Sequence, residues 1–315
     1  MIKENKTYRT TVNLPGMPAE DDSIFHNIPI FEMIKCYFDA TGKLKCENGN
    51  DVYDVINHGF FLLKAPEDID LRSGDKLVRN FYKPAEAGEF ADYTGFKEKS
   101  LNTPYEGYFD REFDQWENFY IERKNWTLLP SDVSTQAGDM ATLGIKVLRE
   151  ILSLVHIEEK NWERITNGLT ENRGHQMLAL NHFRTDKNTR GCKFHRDSGW
   201  VTILRSSESG LLAYIKGSLW AVNPVDGYFI INFGSSIEVL TECTPKKVHA
   251  NVHGVVKTCR LAEQERFSYA VFLDSDLQGD VYKYFPGTGP KKVQSMKEFA
   301  EQEVKRTYDD YSSTL

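Results

Sequence analysis

A histidine and an aspartate stand two residues apart in Phe194–Leu204, just before a β-branched apolar run. In an extended strand, residues i and i+2 point to the same face, so His195 and Asp197 could offer a nitrogen and an oxygen to one point. Two histidines and a carboxylate on one side of a metal, with other positions open, suit an Fe(II) site that activates oxygen. The pair alone also fits a surface strand on which the two side chains hydrogen-bond each other.

A third ligand is available in the β-branched segment around His253. An uncoordinated histidine would be costly to bury there without a hydrogen-bond partner. His249, four residues earlier, is the rival ligand. The sequence favours His253, because its strand-like surroundings would hold the ring better, and it leaves a hydrogen-bonded histidine as the alternative.

Arg266 and Ser268 alternate with apolar residues, and Ala270 and Phe272 continue the same face. An arginine directed into a protein interior needs an anionic partner. Its planar fork can hold a carboxylate through two charge-assisted hydrogen bonds, and a hydroxyl two residues on can add a third. The alternative is an arginine on the solvated face of a strand.

Composition limits the classes of protein that the chain can represent. Of the 315 residues, 40% are apolar and 27% charged, which is typical of a globular protein with a substantial core. The net charge of −7 argues against a nucleic-acid partner bound through phosphate neutralisation. Five irregularly spaced cysteines favour free thiols and a cytoplasmic setting over a disulfide framework or structural zinc site. We expect no membrane partner, because no apolar run approaches a spanning helix. The sequence does not indicate an oligomeric state.

Hydrophobic periodicity predicts a mixed, largely helical region over residues 1–170, whose clearest helix runs from Ser134 to Ile157. Short strand-like runs separated by turn residues then predict a sandwich or barrel core over residues 175–275. The predicted strands include Ile237–Leu240. An amphipathic helix is predicted over residues 293–312, and no linker divides the chain. We therefore expect one domain, residues 1–315, that is mainly β with flanking helices.

The ordered set His195-x-Asp197, His253 and Arg266-x-Ser268 resembles the isopenicillin N synthase-like family of Fe(II)/2-oxoglutarate-dependent dioxygenases. The resemblance extends over almost the whole chain. It includes the segments Asn57–Phe61, Leu180–Phe183 and Gly217–Gly234.

This resemblance implies a double-stranded β-helix (jelly-roll) core. It implies that His195, Asp197 and His253 bind Fe(II), and that Arg266, Ser268 and Asn181 bind the co-substrate 2-oxoglutarate. It further implies that O₂ oxidises a small-molecule substrate by hydroxylation, desaturation or oxidative cyclisation, as in specialised metabolite biosynthesis.

Three features depart from the family pattern. The interval between His253 and Arg266 (266 − 253 = 13 residues) indicates a loop inserted around residues 257–264. Gly254 stands where an arginine is usual, and Phe183 replaces a tyrosine that in relatives can hydrogen-bond the co-substrate. Two alternatives follow: an isopenicillin N synthase-type oxidase that does not use 2-oxoglutarate, and a non-catalytic jelly-roll that binds a small ligand.

Overall fold

The computed structural model describes residues 28–101, 103–257 and 265–307. These ranges form six α-helices and fifteen β-strands. The helices are α1 (Val52–His58), α2 (Leu71–Val78), α3 (Ser131–Leu154), α4 (Trp162–Ile165), α5 (Ser235–Thr241) and α6 (Met296–Thr307). The strands are β1 (Lys35–Phe38), β2 (Leu44–Cys46), β3 (Phe60–Lys64), β4 (Gly107–Asp110), β5 (Trp116–Glu122), β6 (His175–Phe183), β7 (Cys192–His195), β8 (Val201–Ser206), β9 (Leu211–Ile215), β10 (Ser218–Val222), β11 (Tyr228–Phe233), β12 (Val252–Val255), β13 (Arg266–Asp274), β14 (Asp280–Phe285) and β15 (Gly289–Ser295).

Two β-sheets form the core. The larger has nine strands in the order β2-β1-β3-β11-β8-β13-β6-β5-β4, and the smaller has four in the order β10-β9-β12-β7. All pairings in these two sheets are antiparallel except β1 with β3. The predicted mainly β fold with flanking helices is therefore what the chain forms.

The strands β5, β6 and β13 lie side by side in the larger sheet, and their register aligns residues from all three strands in two rows. Trp116 pairs with Phe183, which pairs with Arg266. Two residues further along, Asn118 pairs with Asn181, which pairs with Ser268. Because side chains two residues apart share a face, both rows are on the same side of the sheet.

The helix α3 covers the opposite face of the larger sheet, and its predicted apolar stripe is buried as expected. Its residues Met140, Val147 and Ile151 are fully buried. Gly144 lets the helix approach closely, since a Cβ there would lie 2.5 Å from Leu273 Cδ1 and 2.8 Å from Ile203 Cδ1. The packing of α3 therefore fixes β8 and β13 from behind.

One predicted strand is wrong: Ile237–Leu240 lies in the helix α5. Every residue of α5 is buried, so its sequence carries neither the strand nor the helix period. The N–H groups of Ser235 and Ser236 donate to the carbonyls of Asp197 and Ser198, which starts the helix against the loop before β8. Tertiary contacts thus override the strand preference of the β-branched residues.

The C-terminal helix begins at Met296, because residues 289–295 pair with β14 in a separate hairpin that the sequence analysis did not predict. The predicted continuation to residue 312 lies partly outside the described residues, as does most of the predicted inserted loop. Among the described helices, none is long and apolar enough to span a membrane.

Candidate active site

The structure brings His195, Asp197 and His253 together. His195 is the last residue of β7, and His253 lies directly opposite it on β12. The Asp197 Oδ1 atom lies 3.8 Å from His195 Nε2 and 3.7 Å from His253 Nε2. One ligand atom from each residue lies within 4.8 Å of the other two, so the three side chains could hold one metal ion.

Asp197 does not share a strand face with His195, contrary to what the sequence suggested. The strand β7 ends at His195, so Asp197 lies in the loop before β8 rather than on a shared strand face. The Asp197 carboxylate accepts a hydrogen bond from Thr202 Oγ1 at 2.7 Å, and its backbone oxygen accepts one from Ser235 N at 2.7 Å. Contacts from β8 and α5 therefore aim the carboxylate.

Backbone carbonyls orient both histidine rings. His195 Nδ1 lies 2.8 Å from the Lys193 carbonyl, and His253 Nδ1 lies 3.3 Å from the Asn251 carbonyl. A carbonyl oxygen only accepts, so each Nδ1 carries the proton and each Nε2 keeps its lone pair. Both lone pairs are then available on the side of the Asp197 carboxylate, as a metal site requires.

The donor set fits a divalent transition metal. Burial, with the neighbouring His253, lowers the pKa of His195 to about 4, so its ring is neutral near pH 7. Neutral imidazole is the form that binds metals. Two imidazoles and one carboxylate match the open Fe(II) sites of non-heme oxygenases.

The rival ligand His249 lies outside this cluster. Its side chain is half exposed, and its Nδ1 lies 3.8 Å from the Glu238 carboxylate. The structure therefore places Asp197 beside His253, the histidine that the sequence favoured.

A cavity of about 290 Å³ lies between the two sheets, and all three residues of the cluster contribute to its wall. Leu204, Val255 and Phe272 also line it. The wall near the cluster is thus partly apolar, which limits the water that can reach the metal site.

The arginine end of the cavity is formed by Arg266, Ser268 and Asn181, all predicted from the sequence to bind the co-substrate. Arg266 is only 3% exposed, and its guanidinium lies 3.4 Å from Ser268 Oγ and 3.3 Å from Ser206 Oγ. Its planar group also stacks 4.7 Å from the centre of the Phe183 ring. Burial lowers the pKa of Arg266 to about 10, a value that still leaves it charged near pH 7.

Several buried polar atoms at the arginine end have no hydrogen-bond partner among the described residues. They include Arg266 Nε and Asn181 Oδ1, although Asn181 Nδ2 donates weakly to Ser268 Oγ at 3.5 Å. A buried cation and amide without full partners are costly unless a ligand satisfies them. The arginine end therefore fits a carboxylate such as that of 2-oxoglutarate.

Two further polar residues in this region, Trp116 and Asn118, are not among those predicted from the sequence. Trp116 lines the cavity and stacks on Phe183, with ring centres 6.0 Å apart. Within the described chain its Nε1 has no partner, and neither polar atom of the Asn118 amide has one. The alternation of Phe119 and Ile121 with these residues was the available signal, because it marks a strand with one apolar face.

The far side of the cavity is closed by the helix α6. Met296, Ala300 and Val304 line the cavity from this helix, and Leu277 lies beside them. The cavity therefore has a polar, cationic end, and α6 adds Glu303 to its wall as well as apolar side chains.

Comparison with known families finds oxygenases that resemble this chain. The sequence model of the 2OG-Fe(II) oxygenase superfamily matches residues 174–275, which contain the histidine cluster and the arginine end. Protein DMR6-LIKE OXYGENASE 2 of Arabidopsis thaliana is 24% identical over 254 residues, which cover 71% of this chain and 69% of the relative. The bi-functional coumaroyl CoA and feruloyl CoA ortho-hydroxylase Diox4 of Ruta graveolens is 24% identical over 269 residues, covering 79% and 69%.

Solved structures share the fold. JOX2 in complex with 2OG, Fe and JA aligns with a TM-score of 0.67 at 17% identity, covering 95% of this chain and 91% of JOX2. The Neurospora crassa T7H in complex with alpha-KG and thymine aligns with a TM-score of 0.62 at 15% identity, covering 86% and 96%. The predicted jelly-roll core is thereby confirmed. Residues 174–275 match the 2OG-Fe(II) oxygenase superfamily, and this match, the related oxygenases and the shared fold together support an Fe(II)- and 2-oxoglutarate-dependent oxygenase that acts on small molecules.

Proposed function

We propose that His195, Asp197 and His253 hold Fe(II), and that Arg266 and Ser268 hold the far carboxylate of 2-oxoglutarate. The observation that carries this assignment is that the metal-ligand cluster and the arginine end line one cavity. Asn181 completes the co-substrate site through its amide, which pairs in register with Ser268. The small-molecule ligands in the JOX2 and T7H structures support a small-molecule substrate for this chain as well.

Iron and 2-oxoglutarate, when bound, would supply the oxidising chemistry, in which O₂ is consumed and 2-oxoglutarate is decarboxylated to succinate. The protein's own residues orient these reactants. Thr202 holds the Asp197 carboxylate, and the Lys193 and Asn251 carbonyls keep both histidine Nε2 atoms unprotonated. Arg266 neutralises the far carboxylate in a buried site, where a charge-assisted hydrogen bond is stronger than in water.

The substrate is proposed to bind toward α6, beside Met296, Ala300 and Leu277. Another part of the cavity carries the guanidinium that the co-substrate needs, so the part beside α6, which offers apolar side chains and Glu303, is left for the substrate. Apolar walls near the metal cluster would exclude water from the reacting centre. Hydroxylation, desaturation and oxidative cyclisation all belong to this proposal, since they differ in how the substrate is placed. A cytoplasmic location is part of it too, because free thiols such as Cys192 are typical of reducing compartments.

A direct assay tests the proposed activity. The Fe(II)-loaded protein should form succinate and consume O₂ only when 2-oxoglutarate is added. The matched control is the same protein loaded with Zn(II), which binds the same ligand types but has no redox chemistry. O₂ consumption that is independent of 2-oxoglutarate would favour an isopenicillin N synthase-type oxidase and would overturn the proposal.

The two candidate histidines are separated by matched substitutions. His253→Ala should abolish succinate formation, because it removes a side chain that lies against Asp197. His249→Ala should retain most of the activity, since its half-exposed ring pairs with Glu238 instead of Asp197. Succinate formation by each variant is compared with Fe(II) binding. An inactive His249→Ala beside an active His253→Ala would move the third ligand to His249.

The indole of Trp116 is proposed as an additional donor to the far carboxylate. Trp116→Phe keeps the aromatic stack on Phe183 but removes the N–H group, so it should weaken 2-oxoglutarate binding about tenfold. Trp126→Phe is the control, because the Trp126 indole donates to the Ile121 carbonyl instead. Calorimetric titration measures both. Equal 2-oxoglutarate affinity in Trp116→Phe and wild type would remove Trp116 from the co-substrate site.

A further inference from the structure

Two thiols face each other across the hairpin of β1 and β2, away from the proposed active site. Cys36 and Cys46 are direct partners in the register of this hairpin, and their Sγ atoms lie 2.9 Å apart. Cys36 is fully buried and Cys46 is half-buried, and neither is in a disulfide. Such close contact of two unbonded thiols requires an explanation that the oxygenase chemistry does not provide.

The backbone places this pair at a position where a disulfide fits. Asp39 N donates to the Lys43 carbonyl, so residues 39 and 43 form a hydrogen-bonded pair next to the turn. Pairs alternate along an antiparallel ladder, which makes Cys36 and Cys46 a non-hydrogen-bonded pair with Cα atoms about 4.5 Å apart. That separation is inside the range of about 4.4–6.8 Å that disulfides bridge. The two sulfurs can therefore bond without movement of the strands.

The two thiols differ in pKa, and this difference indicates which of them reacts first with an oxidant. The two Sγ atoms share a hydrogen bond, and this contact lowers the pKa of the more exposed Cys46 while it raises that of buried Cys36. Thiolate character and exposure determine which thiol reacts with an oxidant. Cys46 is thus the reactive thiolate, and buried Cys36 is the thiol that resolves it.

We propose that Cys36 and Cys46 form a reversible disulfide when the protein meets a peroxide. The Cys46 thiolate attacks one peroxide oxygen and breaks the O–O bond, giving a sulfenic acid and hydroxide. The Cys36 sulfur then displaces the sulfenic oxygen, which leaves as water together with the Cys36 proton. In total, two thiols and one peroxide become one disulfide and two waters, with both sulfurs oxidised and the peroxide reduced. A dithiol reductant reverses the reaction.

The disulfide would cross-link β1 and β2, the two strands at one edge of the larger sheet. The hairpin turn is already tied to α3, because Lys43 Nζ lies 2.9 Å from the Glu150 carboxylate and Leu44 N donates to the same group. The strand β1 also pairs with β3, which borders β11. Closing the loop from Cys36 to Cys46 constrains the unfolded chain, so the oxidised protein should melt roughly 5 °C above the reduced one.

The test uses the full chain, treated with hydrogen peroxide and then with an alkylating reagent. Wild type should lose two hydrogen masses, give a cross-linked peptide joining Cys36 to Cys46, and melt higher until dithiothreitol is added. Cys243→Ser, which removes an exposed thiol, should behave like wild type. Cys46→Ser should form no such cross-link and show no oxidant-dependent shift in melting temperature.

Two results would overturn the proposal. One is wild-type protein in which Cys36 and Cys46 are both still alkylated after peroxide treatment. The other is a cross-link that joins either residue to a different cysteine. Cys46→Ser should form succinate at the wild-type rate. The disulfide test is therefore independent of the oxygenase assay, and either one can fail without the other.

Discussion

Replacing Asp197 with alanine should abolish tight Fe(II) binding and all 2-oxoglutarate turnover while the protein stays folded. The Asp197 carboxylate is the only charged ligand of the three-residue cluster, and its Oδ1 lies within 3.8 Å of both histidine Nε2 atoms. Loss of a residue that merely supports a metal ligand costs about 10–100-fold in affinity, so loss of the carboxylate itself should cost more than about 100-fold. Anaerobic Fe(II) titration measures the affinity, and thermal unfolding checks the fold.

A matched variant distinguishes the carboxylate from its support. Thr202→Val keeps the shape of the side chain but removes the hydroxyl that donates to Asp197 Oδ2. It should weaken Fe(II) binding about 10–100-fold without abolishing it. If Asp197→Ala binds Fe(II) as tightly as wild type, the assignment of the cluster as the iron site is wrong.

Replacing Arg266 with alanine should weaken 2-oxoglutarate binding by roughly 30-fold or more. Loss of one partner in a buried charge pair costs about 2–5 kcal/mol, and each 1.4 kcal/mol is a factor of about ten. Ser268→Ala removes a single hydrogen bond, so its effect should be smaller. Arg266→Lys keeps the charge but loses the planar fork, and an intermediate affinity is expected.

A second keto acid serves as the control ligand for the Arg266→Ala experiment. The keto acid 2-oxopentanoate lacks the far carboxylate, so it should bind Arg266→Ala and wild type with the same weak affinity. Arg205→Ala is the control variant, since buried Arg205 pairs with Asp75 instead. Calorimetric titration gives each affinity. An Arg266→Ala protein that binds 2-oxoglutarate as well as wild type would exclude Arg266 as the carboxylate partner.

The sequence predicted those site residues that are polar but stand within apolar, strand-like segments. Arg266 and Ser268 interrupt an apolar strand, and their shared face follows from strand alternation. A histidine within a β-branched segment is similarly conspicuous, which is why His253 was preferred to His249. The long helix α3 was found within three residues at each end, because its apolar period is regular over many turns.

Other features depend on contacts between distant segments, which local patterns do not encode. The loop position of Asp197 depends on Thr202 and on α5 behind it, and α5 itself was read as a strand because it is buried on all sides. Trp116 joins the arginine end only through the register of β5 with β6. The pairing of Cys36 with Cys46 depends likewise on the register of a hairpin.

The most direct test of the account is an anaerobic titration of the Fe(II)-loaded wild-type protein with 2-oxoglutarate, followed by visible absorption. A 2-oxo acid bound to Fe(II) through its keto and carboxylate oxygens gives a metal-to-ligand charge-transfer band. We expect this band to grow to saturation in wild type and to be absent from Asp197→Ala at the same concentrations. A wild-type protein that binds Fe(II) but develops no band at any 2-oxoglutarate concentration would contradict the account.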